Sequence, residues 1–237
     1  MLRGGNWNNN ANNSRCTYRN NNNPNNANNT QSIWELNGGW GSTWKWTNLN
    51  ANDGPGSFPS AYIGWYFGGN SPGSGGFPVS VAAVNDGQDM LPTTVAYQVA
   101  GTKYDVTYDF FLDTNAAPGN SDPQVEMMVW LTSSGGPSPA GSEVASGITL
   151  GNTTGTYNLW YKSPGGSPAW PIITYVRTSS VTSISMYLQP FVWYALNETN
   201  WISSSQYVVG MAFGAEPYNG SGSIYVTSYS AFAYGVD

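Results

Sequence analysis

Two of the five glutamates in this 237-residue sequence lie in apolar, strand-like stretches. Glu126 lies in QVEMMVWL at residues 124–131, and Glu216 follows YVVGMAFGA at residues 207–215. A buried carboxylate without a partner is costly, so each acid requires a compensating partner or a role that uses a perturbed acid. Glycosidic bond hydrolysis uses two carboxyl groups, one that attacks or positions water and one that protonates the leaving oxygen. The alternative is that each glutamate is a structural acid satisfied by backbone donors.

The stretch around Glu126 alternates between two kinds of side chain, as an extended strand requires. Glu126 shares one face with Met128 and Trp130, a combination that suits a cleft better than a solvated surface. The other face is purely apolar and predicts a core face: Val125, Met127, Val129 and Leu131.

A second alternating stretch, residues 103–113, carries three aspartates on one face. Consecutive strands joined by a turn-rich linker usually pair or lie nearby, so Asp109 is expected close to Glu126. A carboxylic acid at that distance could share a proton with Glu126. The face of Asp109 contains five residues: Asp105, Thr107, Asp109, Phe111 and Asp113.

In the stretch before Glu216, alternation predicts one face of large side chains and one of mostly small residues. We expect the small face to leave room for a bulky ligand beside Glu216. The large face contains Tyr207, Val209, Met211 and Phe213, and the small face contains Val208, Gly210, Ala212 and Gly214.

The composition excludes several classes of site. The chain has 7 basic and 13 acidic residues, no histidine, a single cysteine (Cys16) and a net charge of −6. Without histidine there is no Ser-His-Asp triad and no histidine metal site, and one cysteine forms neither an intrachain disulfide nor a metal cluster. Nucleic acid is not an expected partner, because phosphate neutralisation needs basic clusters. Carboxylates are therefore expected to do the chemistry, with no cofactor and no metal.

Aromatic residues make up 15% of the chain and charged residues only 8%, so rings remain available to line a site. Sugar rings have apolar C–H faces and hydroxyl groups, which suit a cleft rich in aromatic and amide side chains. The alternative is that the rings simply mark a β-rich fold. No apolar run is long enough to span a bilayer, and residues 1–5 do not begin a signal peptide. We expect a secreted, extracellular monomer whose leader is absent from this sequence and that contacts no membrane.

Short strand-like runs separated by Gly, Pro and Asn turns predict an all-β sandwich or jelly roll, in a single domain of residues 1–237. The one predicted helix covers residues 182–197, where Pro190 is expected to kink or divide it. The remaining predicted strands include residues 58–67, 79–84, 93–99, 147–150, 157–162, 172–178 and 224–234.

Residues 1–30 contain fourteen asparagines and three of the seven basic residues. Asparagine favours turns, so this segment could be an ordered first strand with turns or an appended tail. Its runs RGGNW and RCTYRN also resemble a short stretch of formylglycine-generating-enzyme-like and C-type-lectin-like domains, which would make it a fused segment. No activity is inferred from that resemblance.

Three segments, YDFFLD at residues 108–113, VEMMVWL at residues 125–131 and FGAEPYNG at residues 213–220, follow one another in a characteristic order. With residues 58–67 and the loop at residues 135–142, they resemble the signature segments of glycoside hydrolase family 12. The resemblance implies a β-jelly roll of two curved antiparallel sheets with one short helix and a concave cleft. It also implies a retaining, endo-acting hydrolase of β-1,4-glucans, a cellulase or endo-1,4-β-glucanase.

Carried over residue by residue, the resemblance implies that Glu126 is the nucleophile, that Glu216 is the general acid and base, and that Asp109 hydrogen-bonds Glu126. Retaining enzymes hold the two carboxyl groups about 5 to 5.5 Å apart, and we expect that separation here. The resemblance also implies four side chains that line the cleft: Tyr66, Met128, Trp130 and Tyr218.

The sequence departs from the family at two points. Trp65 and Tyr66 stand where many members have Cys and His, so a disulfide is lost and a cleft histidine becomes tyrosine. The family's early Asn-Asn-x-Trp segment, whose indole stacks on a sugar, is not matched cleanly. Trp7, Trp34 or Trp65 could supply that indole, with Trp7 as first choice; the alternative for each is ordinary packing.

The leading prediction is a retaining endo-β-1,4-glucanase that cleaves cellulose, mixed-linkage β-glucan or xyloglucan through a covalent glycosyl-enzyme intermediate. The rival prediction is a non-catalytic glycan-binding module on the same sandwich, since fold does not settle function. The presence of both Glu126 and Glu216 argues against the rival, because a binding module needs aromatic platforms and has no need of two such acids.

Overall fold

The computed structural model describes residues 6–7, 14–17, 29–36, 38–47, 49, 54–67, 69–71 and 74–233. These residues form two β-sheets, a short 3-10 turn and two short α-helices, α1 (Val81–Asn85) and α2 (Gln189–Asn197). In chain order the strands are β1 (Asn6–Trp7), β2 (Ser14–Thr17), β3 (Thr30–Leu36), β4 (Gly39–Trp46), β5 (Ser60–Tyr66), β6 (Gly69–Ser71), β7 (Val79–Ser80), β8 (Pro92–Gly101), β9 (Tyr104–Asp113), β10 (Val125–Ser134), β11 (Ser142–Ile148), β12 (Tyr157–Lys162), β13 (Ile172–Arg177), β14 (Ser183–Tyr187), β15 (Tyr207–Pro217) and β16 (Gly220–Ala231).

The large sheet has eleven strands, in the order β1-β2-β5-β15-β9-β10-β13-β12-β11, with β6 beside β5 and β7 beside β15. The small sheet has five strands, in the order β14-β8-β16-β4-β3. Strand β9 pairs antiparallel with β10 on one side and with β15 on the other, whereas β10 pairs parallel with β13. The predicted all-β architecture of two sheets is confirmed, with one parallel pairing and a second helix as the differences.

The core lies between the two sheets, and alternation decides which side chains enter it. The predicted core face of β10 is confirmed, and the aromatic and aliphatic face of β9 lies in the same core. The sheets meet through contacts such as that of Tyr97 with Phe213, whose ring centroids are 5.5 Å apart. Each fully buried apolar side chain contributes about 1.5–3 kcal/mol, so a one-residue slip of either strand would be strongly unfavourable. These two strands supply nine core residues: Tyr104, Val106, Tyr108, Phe110, Leu112, Val125, Met127, Val129 and Leu131.

Strand β15 differs from the prediction at its beginning. A register shift between Val208 and Gly210 adds one residue, Val209, to the strand. Such a bulge reverses the alternation of faces on either side of it. Val208 therefore packs in the core with Met211, while Tyr207 and Val209 belong to a cluster on the opposite face. The predicted shared face of Tyr207, Val209, Met211 and Phe213 is wrong for this reason.

The predicted helix at residues 182–197 is only half helical. Its first part is strand β14, which pairs with β8, and helix α2 begins at Gln189. Pro190 lies in the first turn of α2 and so begins the helix without kinking it, because the missing N–H has no partner at that position in any helix. Residues 79–84, predicted as a strand, mostly form α1, whose first turn is capped by the Ser80 side chain through a 3.1 Å hydrogen bond from the Ala83 N–H.

The N-terminal segment joins the large sheet where it is described. Strand β2 pairs antiparallel with β5, so that Arg15, Cys16 and Thr17 lie opposite Tyr62, Ala61 and Ser60. Most of residues 1–28 lie outside the described part of the chain. Within the described part, neither helix has the length and apolar character needed to cross a membrane.

Candidate active site

The face of the large sheet that points away from the core, called the outer face below, collects five carboxyl groups from three neighbouring strands. Strand β9 contributes Asp105, Asp109 and Asp113, β10 contributes Glu126 and β15 contributes Glu216. Glu126 lies opposite Phe111 of β9, and Glu216 lies opposite Asp105. The two glutamates therefore belong to the strands that flank β9 on either side.

Four of these acids have almost no exposed surface. The exposed fraction is 0% for Asp105, 1% for Asp109, 5% for Glu126 and 6% for Asp113, while Glu216 is partly buried. Buried carboxyl groups require hydrogen bonds, opposite charges or a retained proton. Their immediate neighbours therefore decide their chemistry.

The carboxyl group of Glu126 accepts a hydrogen bond from Trp170. The indole Nε1 of Trp170 lies 2.5 Å from Oε2 of Glu126, and the Glu126 backbone N–H donates to the Pro171 carbonyl at 3.1 Å. Sequence reasoning missed Trp170, because it lies in the loop between β12 and β13 and reaches Glu126 only through the pairing of β10 with β13. No local sequence pattern identifies Trp170 as a residue of the site.

Asp105 and Glu216 form a pair of acids on neighbouring strands. Burial raises the pKa of Asp105 well above its ordinary value, the charge and hydrogen bonding of Glu216 raise it further, and hydrogen bonding to Tyr218 opposes the rise. Neither oxygen of Asp105 makes a hydrogen bond of standard length and angle within the described residues, so these contacts are close but imperfectly aligned. Alternation placed Asp105 on this face, but only the pairing of β9 with β15 reveals its partner.

Tyr218 lies beside Asp105 and Glu216 on the outer face. Its backbone N–H donates to the Lys103 carbonyl at 3.0 Å, and the Lys103 ammonium lies 5.5 Å from the centroid of its ring. Burial raises the pKa of Tyr218, and the charges of Asp105 and Glu216 add to the rise. The phenol therefore stays protonated and can act as a hydrogen-bond donor.

Asp109 lies between the two glutamates along β9. It stands opposite Met128 on one side and Ala212 on the other, one diagonal step from Glu126. Side chains at such diagonal positions are within reach of each other. The hydrogen bond from Asp109 to Glu126 stays a prediction.

A family model described as Glycosyl hydrolase family 12 matches residues 5–233 of this sequence. The chain belongs to glycosyl hydrolase family 12. A family 12 xyloglucanase from Bacillus licheniformis superposes with a TM-score of 0.81 at 23% sequence identity, over 93% of this chain and 92% of that one. The two packed sheets are therefore the jelly roll of this family.

Two curated relatives differ in the activity that their names state. Endoglucanase S of Pectobacterium parmentieri is 25% identical over 189 residues, which cover 78% of this chain and 69% of that protein. A Phytophthora nicotianae protein named inactive glycoside hydrolase XLP1 is 35% identical over 145 residues, or 60% of this chain and 58% of that protein. Both a named hydrolase and a named inactive protein are therefore relatives of this family 12 chain.

Several aromatic residues predicted to bind sugar are packed against other rings in this family 12 chain. Trp65 is 2% exposed, donates its indole N–H to the Gly119 carbonyl at 2.7 Å and packs against Phe111. Tyr66 is 5% exposed and stacks on Tyr62 at 4.9 Å between ring centroids. Sugar stacking on Trp65 or Tyr66 would require these neighbours to move.

The other candidate indoles lie elsewhere. Trp34 is on the small sheet, where its ring centroid is 5.3 Å from that of Tyr225. Trp7 is the last residue of β1, and its side chain lies outside the part of the chain that the structure describes. The choice of Trp7 as the stacking residue therefore stays a prediction.

Met128 and Trp130 lie on the outer face as expected, in a cluster with Trp170 and Ile172. The indole N–H of Trp130 is buried and has no hydrogen-bond partner among the described residues. Because buried donors in native proteins are nearly always satisfied, this N–H is suited to a ligand oxygen or an ordered water.

Gly210 and Gly214 of β15 lack a side chain for a reason that differs from the predicted one. A Cβ at Gly210 would lie 2.1 Å from the Trp65 carbonyl oxygen, and one at Gly214 would lie 2.2 Å from the Pro59 carbonyl oxygen. The backbone of the neighbouring chain segment thus fills the space that a side chain would need. The expectation that Gly210 and Gly214 leave room for a ligand is wrong.

Proposed function

We propose that this chain is a retaining endo-β-1,4-glucanase in which Glu126 is the nucleophile and Glu216 is the general acid and base. The observation that carries the proposal is the presence of Glu126 and Glu216 on the two strands that flank β9, with their side chains on one outer face. Membership of glycosyl hydrolase family 12 supports the reaction class.

The environments of the two glutamates support different roles. The Trp170 N–H donates to Oε2 of Glu126, and this bond holds the carboxyl group that the proposed attack uses in one position. Glu216 has a second carboxyl group, that of Asp105, as its cross-strand partner. Two adjacent carboxyl groups are difficult to ionise together, so this pair retains a proton, as a general acid requires.

The proposed reaction has two steps. In the first, an oxygen of Glu126 bonds to the anomeric carbon while the glycosidic bond breaks, and the Glu216 proton moves to the leaving oxygen. In the second, Glu216 takes a proton from water, whose oxygen bonds to the anomeric carbon and releases Glu126. Each step inverts the anomeric carbon, so the product retains the β configuration.

This mechanism places a geometric demand on β9. Glu126 is level with Phe111 and Glu216 is level with Asp105, positions that a flat strand would separate by about 20 Å. Retaining enzymes need about 5 to 5.5 Å between carboxyl groups. The proposal therefore requires strong curvature of the sheet toward the outer face, and the register shifts at Trp130/Thr132 and Val208/Gly210 are the kind of bulge that bends strands.

The proposed substrates are polysaccharides with a β-1,4-glucan backbone: cellulose, mixed-linkage β-glucan or xyloglucan. The outer face supports a neutral sugar ligand through the rings of its cluster, including Trp130 and Trp170, and through the buried Trp130 N–H. The names of the relatives, endoglucanase and xyloglucanase, support the same class of substrate. We further propose one catalytic domain, residues 1–237, acting outside the cell as a monomer, with no nucleic acid or membrane partner.

The rival function is a non-catalytic glycan-binding module, and the relative named inactive gives it weight. Reducing-sugar release from soluble β-glucan separates the two. We expect release by the native chain and at least a thousandfold less by Glu126→Gln or Glu216→Gln, since each step needs its carboxyl group. Glu198→Gln is a matched control at an exposed position beyond α2 and should be fully active. Full activity of either active-site variant would overturn the assignment, and glucan binding without cleavage by the native chain would favour the rival.

A further inference from the structure

The loop of residues 163–170 follows β12 and ends at the tryptophan that contacts Glu126, with Pro171 between it and β13. It contains two glycines and two prolines and has no regular secondary structure. Residues 163–167 are exposed, whereas Trp170 is only 9% exposed. An exposed loop of this composition is not expected to hold its last residue in one position without a further constraint.

Lys162 supplies that constraint. Its ammonium lies within hydrogen-bond distance of four carbonyl oxygens of the loop, which share its three N–H donors. The Gly165 N–H also donates to the Ala169 carbonyl at 2.8 Å. Four carbonyl groups of the loop therefore bind the same cation, the Lys162 ammonium. The four distances from Lys162 Nζ are 3.2 Å to Ser163, 2.8 Å to Gly165, 2.7 Å to Pro168 and 3.2 Å to Trp170.

Trp170 is fixed on its other side by packing. Its ring belongs to the cluster with Met128, Trp130 and Ile172, and its centroid lies 5.9 Å from that of Phe67. This leaves the indole N–H directed at Oε2 of Glu126. An indole N–H is only a donor, and hydrogen bonds to an ionised acceptor are about twice as strong as neutral ones.

We propose that Trp170 is a positioning residue for the Glu126 carboxylate and that Lys162 keeps it in place by ordering the loop of residues 163–170. This inference rests on the proposed role of Glu126 as nucleophile. The Trp170 N–H holds Oε2, so Oε1 is the oxygen that bonds to the anomeric carbon. When the glycosyl-enzyme breaks down, the electron pair of that bond returns to Glu126, and the same N–H stabilises the released carboxylate.

Other charged groups also act on Glu126. On the outer face, β9 presents Asp105, Asp109 and Asp113, and β15 presents Glu216. Opposite Glu126, β13 presents Ile172, which carries no charge. Against this repulsion, the Trp170 N–H is a donor that holds the carboxylate in place. Its loss should therefore lower kcat and leave KM nearly unchanged, because the bond acts on the attacking group and not on the sugar.

The test uses Trp170→Phe, which keeps an aromatic ring and removes the N–H. We expect kcat to fall about 10- to 100-fold, the usual effect of a lost bond to a charged group, with KM nearly unchanged. Trp193→Phe is the matched control, because Trp193 is an exposed indole on α2, and it should change neither value. An unchanged kcat, or a loss of kcat/KM that comes mainly from a raised KM, would overturn the inference.

A second variant tests the loop itself and does not depend on Trp170→Phe being folded. Lys162→Met removes the ammonium and should lower kcat by a smaller factor, again with KM nearly unchanged, whereas Lys45→Met, at an exposed position on β4, should change neither. An unchanged kcat in Lys162→Met would overturn the role of Lys162. If Glu126→Gln is fully active, the proposed function fails; if it is inactive while Trp170→Phe behaves as wild type, only the present inference fails.

Discussion

Asp105 of β9 and Glu216 of β15 are direct cross-strand partners, and the side chain of Asp105 is completely buried beside the partly buried Glu216. Strand pairing thus holds two carboxyl groups together, one of them out of contact with solvent. The contact is useful to a general acid because the pair keeps a proton. It is also a source of strain that stability measurements can detect.

Stability should depend on pH through Asp105. Its pKa in the folded protein is raised well above the ordinary value of 3.8, first by burial and then by Glu216. At pH values between the ordinary and the raised pKa, the folded state therefore binds more protons than the unfolded state. Stability is then fully present below the ordinary pKa and is lost as pH rises toward the raised pKa. Thermal unfolding from about pH 4 to about pH 8 should show this loss, and Asp105→Asn should reduce it.

The same measurement on Glu216→Gln supplies the control for the pair. Removing the Glu216 charge leaves burial as the main cause of the raised pKa, so the loss of stability should be complete at a lower pH than in the native chain. An identical pH dependence of unfolding in the native chain and Asp105→Asn would contradict the pairing.

The product stereochemistry should report the proposed mechanism directly. Time-resolved proton NMR of β-glucan hydrolysis should show the β-anomer of the new reducing end first, with the α-anomer appearing later by mutarotation. Early appearance of the α-anomer would require an inverting enzyme and a separation of carboxyl groups of about 6.5–9.5 Å.

Gly214→Ala should destabilise the fold. The added Cβ would lie 2.2 Å from the Pro59 carbonyl oxygen and 2.7 Å from Ser60 Cβ, so the strand pairing would have to shift. We expect a loss of about 1–3 kcal/mol in the free energy of unfolding, measured by chemical denaturation. The control is Gly151→Ala, where the added Cβ would have no atom within 4 Å and stability should hardly change.

Deleting residues 1–28 should lower the melting temperature. The deletion removes β2, the partner of Ser60, Ala61 and Tyr62 in β5, and leaves their backbone groups at an open edge. It keeps Asn29, whose side chain accepts a 2.9 Å hydrogen bond from the Thr47 N–H. An unchanged melting temperature and unchanged cleavage would instead make the segment an appendage.

Much of the candidate site was predictable from local sequence. Alternation in residues 103–113 and 124–131 identified the outer-face residues of β9 and β10, because a strand directs successive side chains to opposite faces. It failed at β15, where the extra residue Val209 reverses the faces. A bulge depends on pairing with a neighbouring strand, and the single-strand pattern does not reveal it.

The sequence by itself determined the residue types, the strand faces and the family resemblance, because these depend on local alternation and on short motifs. Only the tertiary structure decided which residues meet. Asp105 faces Glu216 through the register of β9 with β15, and Trp170 reaches Glu126 through the parallel pairing of β10 with β13. Such contacts join residues far apart in the chain, and their geometry is set by strand order and register, which local pattern alone does not specify.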